Sequence, residues 1–337
     1  MPRENKSPHR KSPNQPAAVW REKDYIDGKQ ADAGVVILRT SGCSHYHKGG
    51  CSMCGYNYES DKTATPQNII SQFDSAMRDL GEIGFVKIYT SGSFLDECEI
   101  SKDVAEHILK VSAERGMRVL FESRPEFVTQ ESLQRVSSTN DRLEIALGLE
   151  SSNDRVLQYS INKGFTRADY ERAAQTITGA GIDIRTYVLL KPPYLTEAES
   201  IADSEETIRF AAGFSKTISL NPVNVQKGTH VERLWRNWAY RPPWLWSVLE
   251  VLKSSCSLGK RVVCEPTGGG KERGAHNCGN CDEVVLASIK AFSLTQDPGR
   301  LGYPDCECRD VWKSILDLDG FVMGGTADLQ RFFRGHR

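Results

Sequence analysis

The sequence predicts an α/β fold, a partial (β/α)6 barrel of parallel strands followed by a cysteine-rich C-terminal extension. Two observations carry this. Short, nearly continuous apolar runs alternate with amphipathic stretches between residues 34 and 228. Such runs read as strands buried on both faces, and a parallel sheet of this kind is covered by helices. Each run also ends in a polar or glycine-containing tip, where barrels of this type keep their chemistry.

In order, Val35 to Leu38 is the first strand, and Asn68 to Leu80 the first helix, with Ile69, Ile70, Phe73, Met77 and Leu80 at helical spacing. Phe85 to Tyr89 is a second strand, ending in Ser91-Gly92-Ser93, and Val104 to Ala113 a helix. Met117 to Phe121 is a third strand, ending in Glu122-Ser123-Arg124-Pro125, before a short helix around Glu131 to Val136. Leu143 to Leu149 is a fourth, ending in Glu150-Ser151-Ser152, before the helix Arg167 to Gly179. Ile184 to Leu190 is a fifth, closing on Lys191-Pro192-Pro193, before the helix Ala198 to Ala212. Thr217 to Leu220 is the sixth.

Three regions follow. Residues 1–33 carry Arg3, Lys6, Arg10, Lys11, Arg21 and Lys23 among prolines with few apolar groups, and are expected to be a disordered basic arm. Residues 34–228 form the barrel. Residues 229–337 break the rhythm with a Trp-rich stretch and six of the ten cysteines, and are expected to hold a metal site. No long apolar run exists and the first residues lack the apolar segment of a secretory signal, so neither a membrane span nor secretion is expected. The expected compartment is the reducing cytoplasm, where clustered cysteines serve metals more often than disulfides. A net charge of -1 excludes a generally basic nucleic-acid binder.

The most informative segment follows the first strand. Cys43, Cys51 and Cys54 lie in one glycine-flanked loop. Three thiolates can hold three irons of a [4Fe–4S] cluster and leave the fourth iron open. An open iron can chelate the amino and carboxylate groups of S-adenosylmethionine (SAM). A structural zinc completed by His45 or His47 is the competing reading.

This triplet, on the first βα loop of six βα units, resembles the radical SAM superfamily, whose members are partial TIM-like barrels. The family's usual gaps are three and then two residues; here the first gap is seven. Longer first gaps occur in the subgroup related to the elongator catalytic subunit, which Gly148-Leu149-Glu150-Ser151-Ser152-Asn153-Asp154 and Asn162-Lys163-Gly164-Phe165-Thr166 resemble. Gly49 to Tyr56, Lys191 to Glu197, Arg241 to Trp246 and His276 to Asp282 together are similar to the RaSEA type, the radical SAM subunit of archaeal archaeosine synthase. The likeness spans about residues 34 to 316.

The resemblance implies a lyase acting on tRNA whose D-arm carries a lysine adduct of 7-cyano-7-deazaguanine. A partner subunit, ArcS, attaches the lysine. The radical SAM subunit then breaks the C–N bond of the lysine side group and leaves the amidine of archaeosine. An electron donor such as ferredoxin or flavodoxin is implied, and no membrane. Met53 matches the position lying against the adenine of SAM. Ser91-Gly92-Ser93 occupies the place of two glycines and an acid that hold the SAM amino group, and only the middle glycine remains; Asp96 or Glu97 are candidates for the missing acid. Glu122 and Glu150, at strand ends, are candidates for ribose hydroxyls or the SAM ammonium, and Arg124 and Arg185 for its carboxylate or a tRNA phosphate.

A second constellation follows. Cys278 and Cys281 have the spacing of a zinc knuckle, and Cys306 and Cys308 supply another pair, with Cys264 and His276 as spare ligands. Cys98 and Cys256 read as small core residues. Trp235, Trp238, Trp244 and Trp246 with neighbouring arginines read either as core packing or as a platform for unpaired bases. Three functions remain open on the residues: the lyase, another radical SAM tRNA-modifying enzyme of the acyl or methylthio transfer type, and a non-catalytic zinc RNA-binding module.

Overall fold

The computed structural model describes residues 12–26, 28–58 and 60–319. Part of the expected arm, residues 1–11, and residues 320–337 of the extension lie outside these.

Among the described residues, eight strands form one curled sheet in the order β1-β2-β3-β4-β5-β6-β7-β8. They are β1 Ala18–Ile26, β2 Lys29–Ile37, β3 Phe85–Tyr89, β4 Arg118–Ser123, β5 Leu143–Glu150, β6 Asp183–Leu190, β7 Thr217–Pro222 and β8 Arg261–Val263. From β2 to β8 every neighbour is parallel. The helices α1 Pro66–Leu80, α2 Lys102–Glu114, α3 Gln130–Thr139, α4 Arg167–Gly179 and α5 Glu197–Ala211 fill the crossovers. β2 to β7 are the six expected strands.

The helices begin where the sequence supplies caps. Thr65, Thr129, Thr166 and Thr196 each accept a backbone N–H from the third helical residue, whose side group reaches back to the cap. Each helix then lays its apolar face on the outside of the sheet. Phe73, Met77, Leu80, Ile108, Leu133 and Ile177 pack there against Val86, Ile88, Val119, Phe121, Ile145 and Ile184.

The inner face is mixed. Ala33, Phe85, Leu120 and Ala146 form a small apolar layer, with Ile26, Tyr89 and Tyr187 against it. Charges crowd around it. Arg118 meets Glu144 at 3.1 Å and Asp183 at 2.6 Å. Arg185 meets Glu144 at 2.8 Å and Asp24 at 3.0 Å, and Lys87 meets Asp24 at 2.5 Å. Arg118, Glu144 and Asp183 stand at or beside the first residues of their strands.

One regional expectation needs correction. Residues 18–26 of the expected arm are not disordered: they form β1, antiparallel to β2 from Ala18↔Ile37 to Ile26↔Lys29. The strand is held because its Asp24 is buried among Lys87 and Arg185. The extension packs on the barrel. β8 adds to the sheet beside β7. One apolar core joins Val188, Leu190, Ile208 and Leu220 of the barrel to Trp246, Leu249 and Val285 of α7 Leu245–Ser255 and α8 Asp282–Thr295, and to Trp312 of α9 Cys308–Asp319. The short α6 His230–Arg236 precedes them. Among the described residues, no helix is long and apolar enough to cross a membrane.

Candidate metal and cofactor site

The loop after β2 is shaped by glycines. Cys43 precedes a 3-10 turn over Ser44–Lys48 that ends on Gly49 at φ +112°, followed by Gly50 at φ +66°. Two neighbouring segments fasten it. Ser52 N–H donates to the Ile161 carbonyl at 2.8 Å, and the Asn162 amide group donates to the Gly50 carbonyl at 2.7 Å. A His45 ring nitrogen lies 2.7 Å from the Asn162 carbonyl, and Gly164 leaves the room that ring needs. Val231 N–H donates to the Ser52 carbonyl at 3.2 Å. His45 is therefore engaged in holding the loop.

The three thiols share this loop and lie near enough to act on one another electrostatically. Burial pushes the Cys51 thiol up, against the pull of Lys163 and Arg124. Burial, with Cys51 beside it, pushes Cys54 up to about 12. Cys43 acts electrostatically on both. Thiols so desolvated stay protonated until a metal takes them as thiolates.

A second tip closes on the first. A Cβ at Gly92 would lie 2.7 Å from the Cys43 Cα and 2.9 Å from its Cβ. The tip is anchored by Glu99, which is 4% exposed. Its carboxylate accepts from Thr40 Oγ1 at 2.6 Å, Ser91 N–H at 3.0 Å, Gly92 N–H at 3.1 Å and Ser93 N–H at 2.6 Å. The amides of Ser91, Gly92 and Ser93, expected to face a cofactor, thus serve Glu99. The Ser93 hydroxyl turns to Ser123 Oγ at 2.9 Å, and that of Ser91 stays at the surface. Asp96 accepts from Ser44 Oγ, and Glu97 is on the surface with Lys102 and Arg135. Neither bonds the amides of this tip; Glu99 does, and nothing in Asp96-Glu97-Cys98-Glu99 marks which acid takes that place.

Glu150 and Glu122 both lie on the same rim. Glu150 sits at φ +69° at a bulge after Gly148, and is paired with buried Lys163 at 2.9 Å. Burial works against the Lys163 charge, but Glu150 and Cys51 raise its pKa. Glu122 is pushed up to about 8 by burial, with Glu150 and Glu99 adding to it and a Tyr187 hydrogen bond opposing. Arg124 donates to Glu126 at 2.6 Å and to the Lys163 carbonyl at 3.0 Å. Met53 packs with Cys51 against Val156, Ile161 and Val225. Arg185 is not on this rim. It is locked between Glu144 and Asp24 near the opposite ends of the strands, which corrects its assignment to a cofactor.

The second constellation is compact. The Sγ atoms of Cys278, Cys281, Cys306 and Cys308 all lie within 4.8 Å of one another. Three of the separations are 3.6, 3.7 and 3.4 Å. A zinc ion bound tetrahedrally at ~2.3 Å requires sulfurs about 3.8 Å apart. The four thiols fit that ion. Trp246 Nε1–H and the Asn277 Nδ2–H donate to Cys308 and Cys281 Sγ, each at 3.3 Å, the surroundings expected of thiolate ligands. Cys264 is wholly buried and His276 bonds the Gly274 carbonyl, so neither joins the group. Cys98 is exposed rather than a core residue, and Cys256 is half-buried.

Comparison with known proteins decides the family. The chain is 41% identical over 320 residues to archaeosine synthase subunit beta of Methanosarcina acetivorans, covering 92% of each protein. It is 38% identical over 310 residues to archaeosine synthase subunit beta of Thermococcus kodakarensis, covering 88% of this protein and 96% of that one. This chain belongs to the archaeosine synthase subunit beta family. The resemblance drawn from Cys43, Cys51 and Cys54 and the weaker motifs is borne out. No family model matches the sequence. Among solved structures, the subunit-beta fold is similar to an N-terminally truncated Elp3 from Methanocaldococcus infernus, with TM-score 0.53 and 13% identity over 78% of this protein and 64% of that one. It is also similar to a radical SAM methyltransferase from Sphaerobacter thermophilus, with TM-score 0.50 and 12% identity over 83% of this protein and 78% of that one. The open barrel is thus of the radical SAM type.

Proposed function

We propose that this subunit-beta protein is a radical SAM lyase of tRNA archaeosine synthesis. It would cleave the C–N bond to the lysine moiety of the 7-cyano-7-deazaguanine–lysine adduct, at the lysine side group, and leave the archaeosine amidine. The observation that carries the reading is the gathering of Cys43, Cys51 and Cys54 on one loop at the C-terminal edge of a radical SAM barrel. The donor set fits a [4Fe–4S] cluster held by three thiolates. With SAM, that cluster supplies the radical chemistry that an unactivated lysine carbon requires.

The protein's own residues hold and tune this place. Gly92 lets the second tip lie on Cys43, and Glu99 fixes that tip. Lys163 offsets the charge of Glu150 beside Cys51 and leaves the pocket without a bare carboxylate there. Glu122 carries its proton near neutrality and gives it up when an ammonium group arrives. Met53 offers a soft surface beside Cys54 for an adenine. Cys278, Cys281, Cys306 and Cys308 hold a structural zinc that fixes α8 and α9.

The partners in this reading are the modified tRNA, an ArcS-type subunit, and a cytoplasmic electron donor such as ferredoxin or flavodoxin. The test is an anaerobic reaction of this protein, its partner subunit, SAM and reductant with tRNA bearing the lysine adduct. Mass spectrometry of the nucleosides should show archaeosine with wild type and only adduct with Cys43→Ala. Adduct left intact by cluster-loaded wild type, or an acylated or methylthiolated product, would overturn the lyase assignment.

A further inference from the structure

α6 ends in a paired hydrogen-bond cap. Trp238 N–H donates to the Trp235 carbonyl at 3.1 Å, and Ala239 N–H to the Leu234 carbonyl at 2.9 Å. This is the Schellman arrangement, whose left-handed position is usually glycine because a Cβ there crowds the backbone. Here that position is Trp238, at φ +60°. The indole gains nothing from the fold in return, for Trp238 is 96% exposed. Both its backbone conformation and its bare apolar surface cost stability. The neighbouring tryptophans behave otherwise. Trp244 and Trp246 are 8% and 0% exposed, and Trp235 packs beneath the Arg273 guanidinium at 4.7 Å.

The ground around Trp238 is positive. Lys227, Arg233 and Arg236 are exposed. The one acid in the sequence from 227 to 241 is Glu232, buried and paired with Arg236 at 3.0 Å and with Arg273. In a protein of net charge -1, this is a local excess suited to a polyanion. Its position is equally specific. α6 is rooted in the cysteine loop through Val231 and Ser52. Trp238 lies seven residues on from that anchor, about 10 Å along the helix direction at ~1.5 Å per residue.

We propose that Trp238 is a stacking platform for an unpaired base of the RNA substrate, with Arg233 and Arg236 meeting the adjoining phosphates. A π-face beside guanidinium groups accepts any unstacked base. The proposal rests on the RNA-directed reading above, yet it concerns binding and needs neither cluster nor SAM.

The test uses full-length wild type, Trp238→Gly, Trp238→Phe and Arg233→Ala/Arg236→Ala, alone and with the partner subunit. Affinity for an unmodified tRNA transcript is measured over a range of salt. Trp238→Gly should melt no lower than wild type, since glycine suits the left-handed cap. It should nevertheless bind tRNA about 10-fold more weakly, within the range of one lost base–aromatic stack. Trp238→Phe should keep most of the affinity. The double arginine variant should show a shallower salt slope, by about two phosphates. Equal tRNA affinity of wild type and Trp238→Gly, both alone and in the complex, would overturn the proposal. So would loss of partner binding with tRNA affinity intact, which would make the patch a protein interface. A wild type that binds tRNA through Trp238 and yields no archaeosine would leave this proposal standing and remove the lyase assignment.

Discussion

A methyl group added at Gly92 would lie 2.7 Å from the Cys43 Cα and 2.6 Å from Glu99 Oε2. Neither neighbour can retreat, since one is backbone and the other is fixed by three amides of the same tip. Gly92→Ala should therefore destabilise the protein by about 1–3 kcal/mol, read from melting, and lower the iron bound per protomer. Glu122 makes a prediction of opposite sign. Its folded pKa of about 8 lies above the ordinary glutamate value of 4.5, so the folded state binds the extra proton between those values. Its contribution to stability is complete below about 4.5 and lost as pH rises through about 8. Glu122→Gln should stabilise the metal-free protein at pH 8–9 by roughly 1–3 kcal/mol relative to wild type, and the difference should vanish near pH 4. At this scale the convergence of Cys278 and Cys281 with Cys306 and Cys308 was legible from spacing, because ligands to one metal must meet in space. Glu99 was not, since Asp96 is buried as deeply and only the three amides of the Ser91-Gly92-Ser93 tip single Glu99 out. Arg185 misled because a charged residue on a buried strand serves a ligand or another charge equally well, and the sequence does not show Asp24 opposite it.

The elements of the barrel were legible because apolar periodicity and threonine caps agree with one another. β3 spans the residues expected of it, and α4 begins and ends as expected. β1 was concealed by its composition: Arg21, Glu22, Lys23 and Asp24 read as a solvated run, although β1 pairs with β2 along its length. The turn dipeptide Asp27-Gly28, with Gly28 at φ +79°, was the available signal for a hairpin. In the extension, α8 follows Cys281 directly and α9 begins at Cys308, so the four thiols bind two helix starts together. Cys281→Ser should abolish zinc binding and cost of order 4 kcal/mol of stability, as loss of a structural metal does. Strong chelation of the wild type should lower its melting temperature in the same way. An unchanged melting temperature after complete zinc removal would exclude a structural role for that site.

Across the whole molecule the two ends of the barrel divide the labour. One end carries paired charges that tie β1 to the parallel strands, and the other carries the thiols and the rim carboxylates. Burial tends to raise the Asp24 pKa, but Arg185 and Lys87 overcome it and hold the carboxyl far below its usual range. Its stabilising effect is thus present above the ordinary carboxylate pKa and is lost as pH falls toward the depressed value. Asp24→Asn should destabilise the protein by about 3–5 kcal/mol at pH 7 and flatten the acid limb of its stability profile, as removal of one partner leaves Arg185 and Lys87 under-compensated.

The central claim is that Cys43, Cys51 and Cys54 hold an iron–sulfur cluster while the four C-terminal cysteines hold zinc. The measurement that tests it most directly is anaerobic iron, sulfide and zinc content with an ultraviolet–visible spectrum, on wild type and Cys51→Ala. About four irons and four sulfides per protomer, with the broad absorption of a cluster, are expected in wild type. Loss of both in Cys51→Ala with zinc retained would be the predicted result. A colourless wild type containing zinc alone would contradict the account and leave a metal-stabilised RNA-binding module in its place.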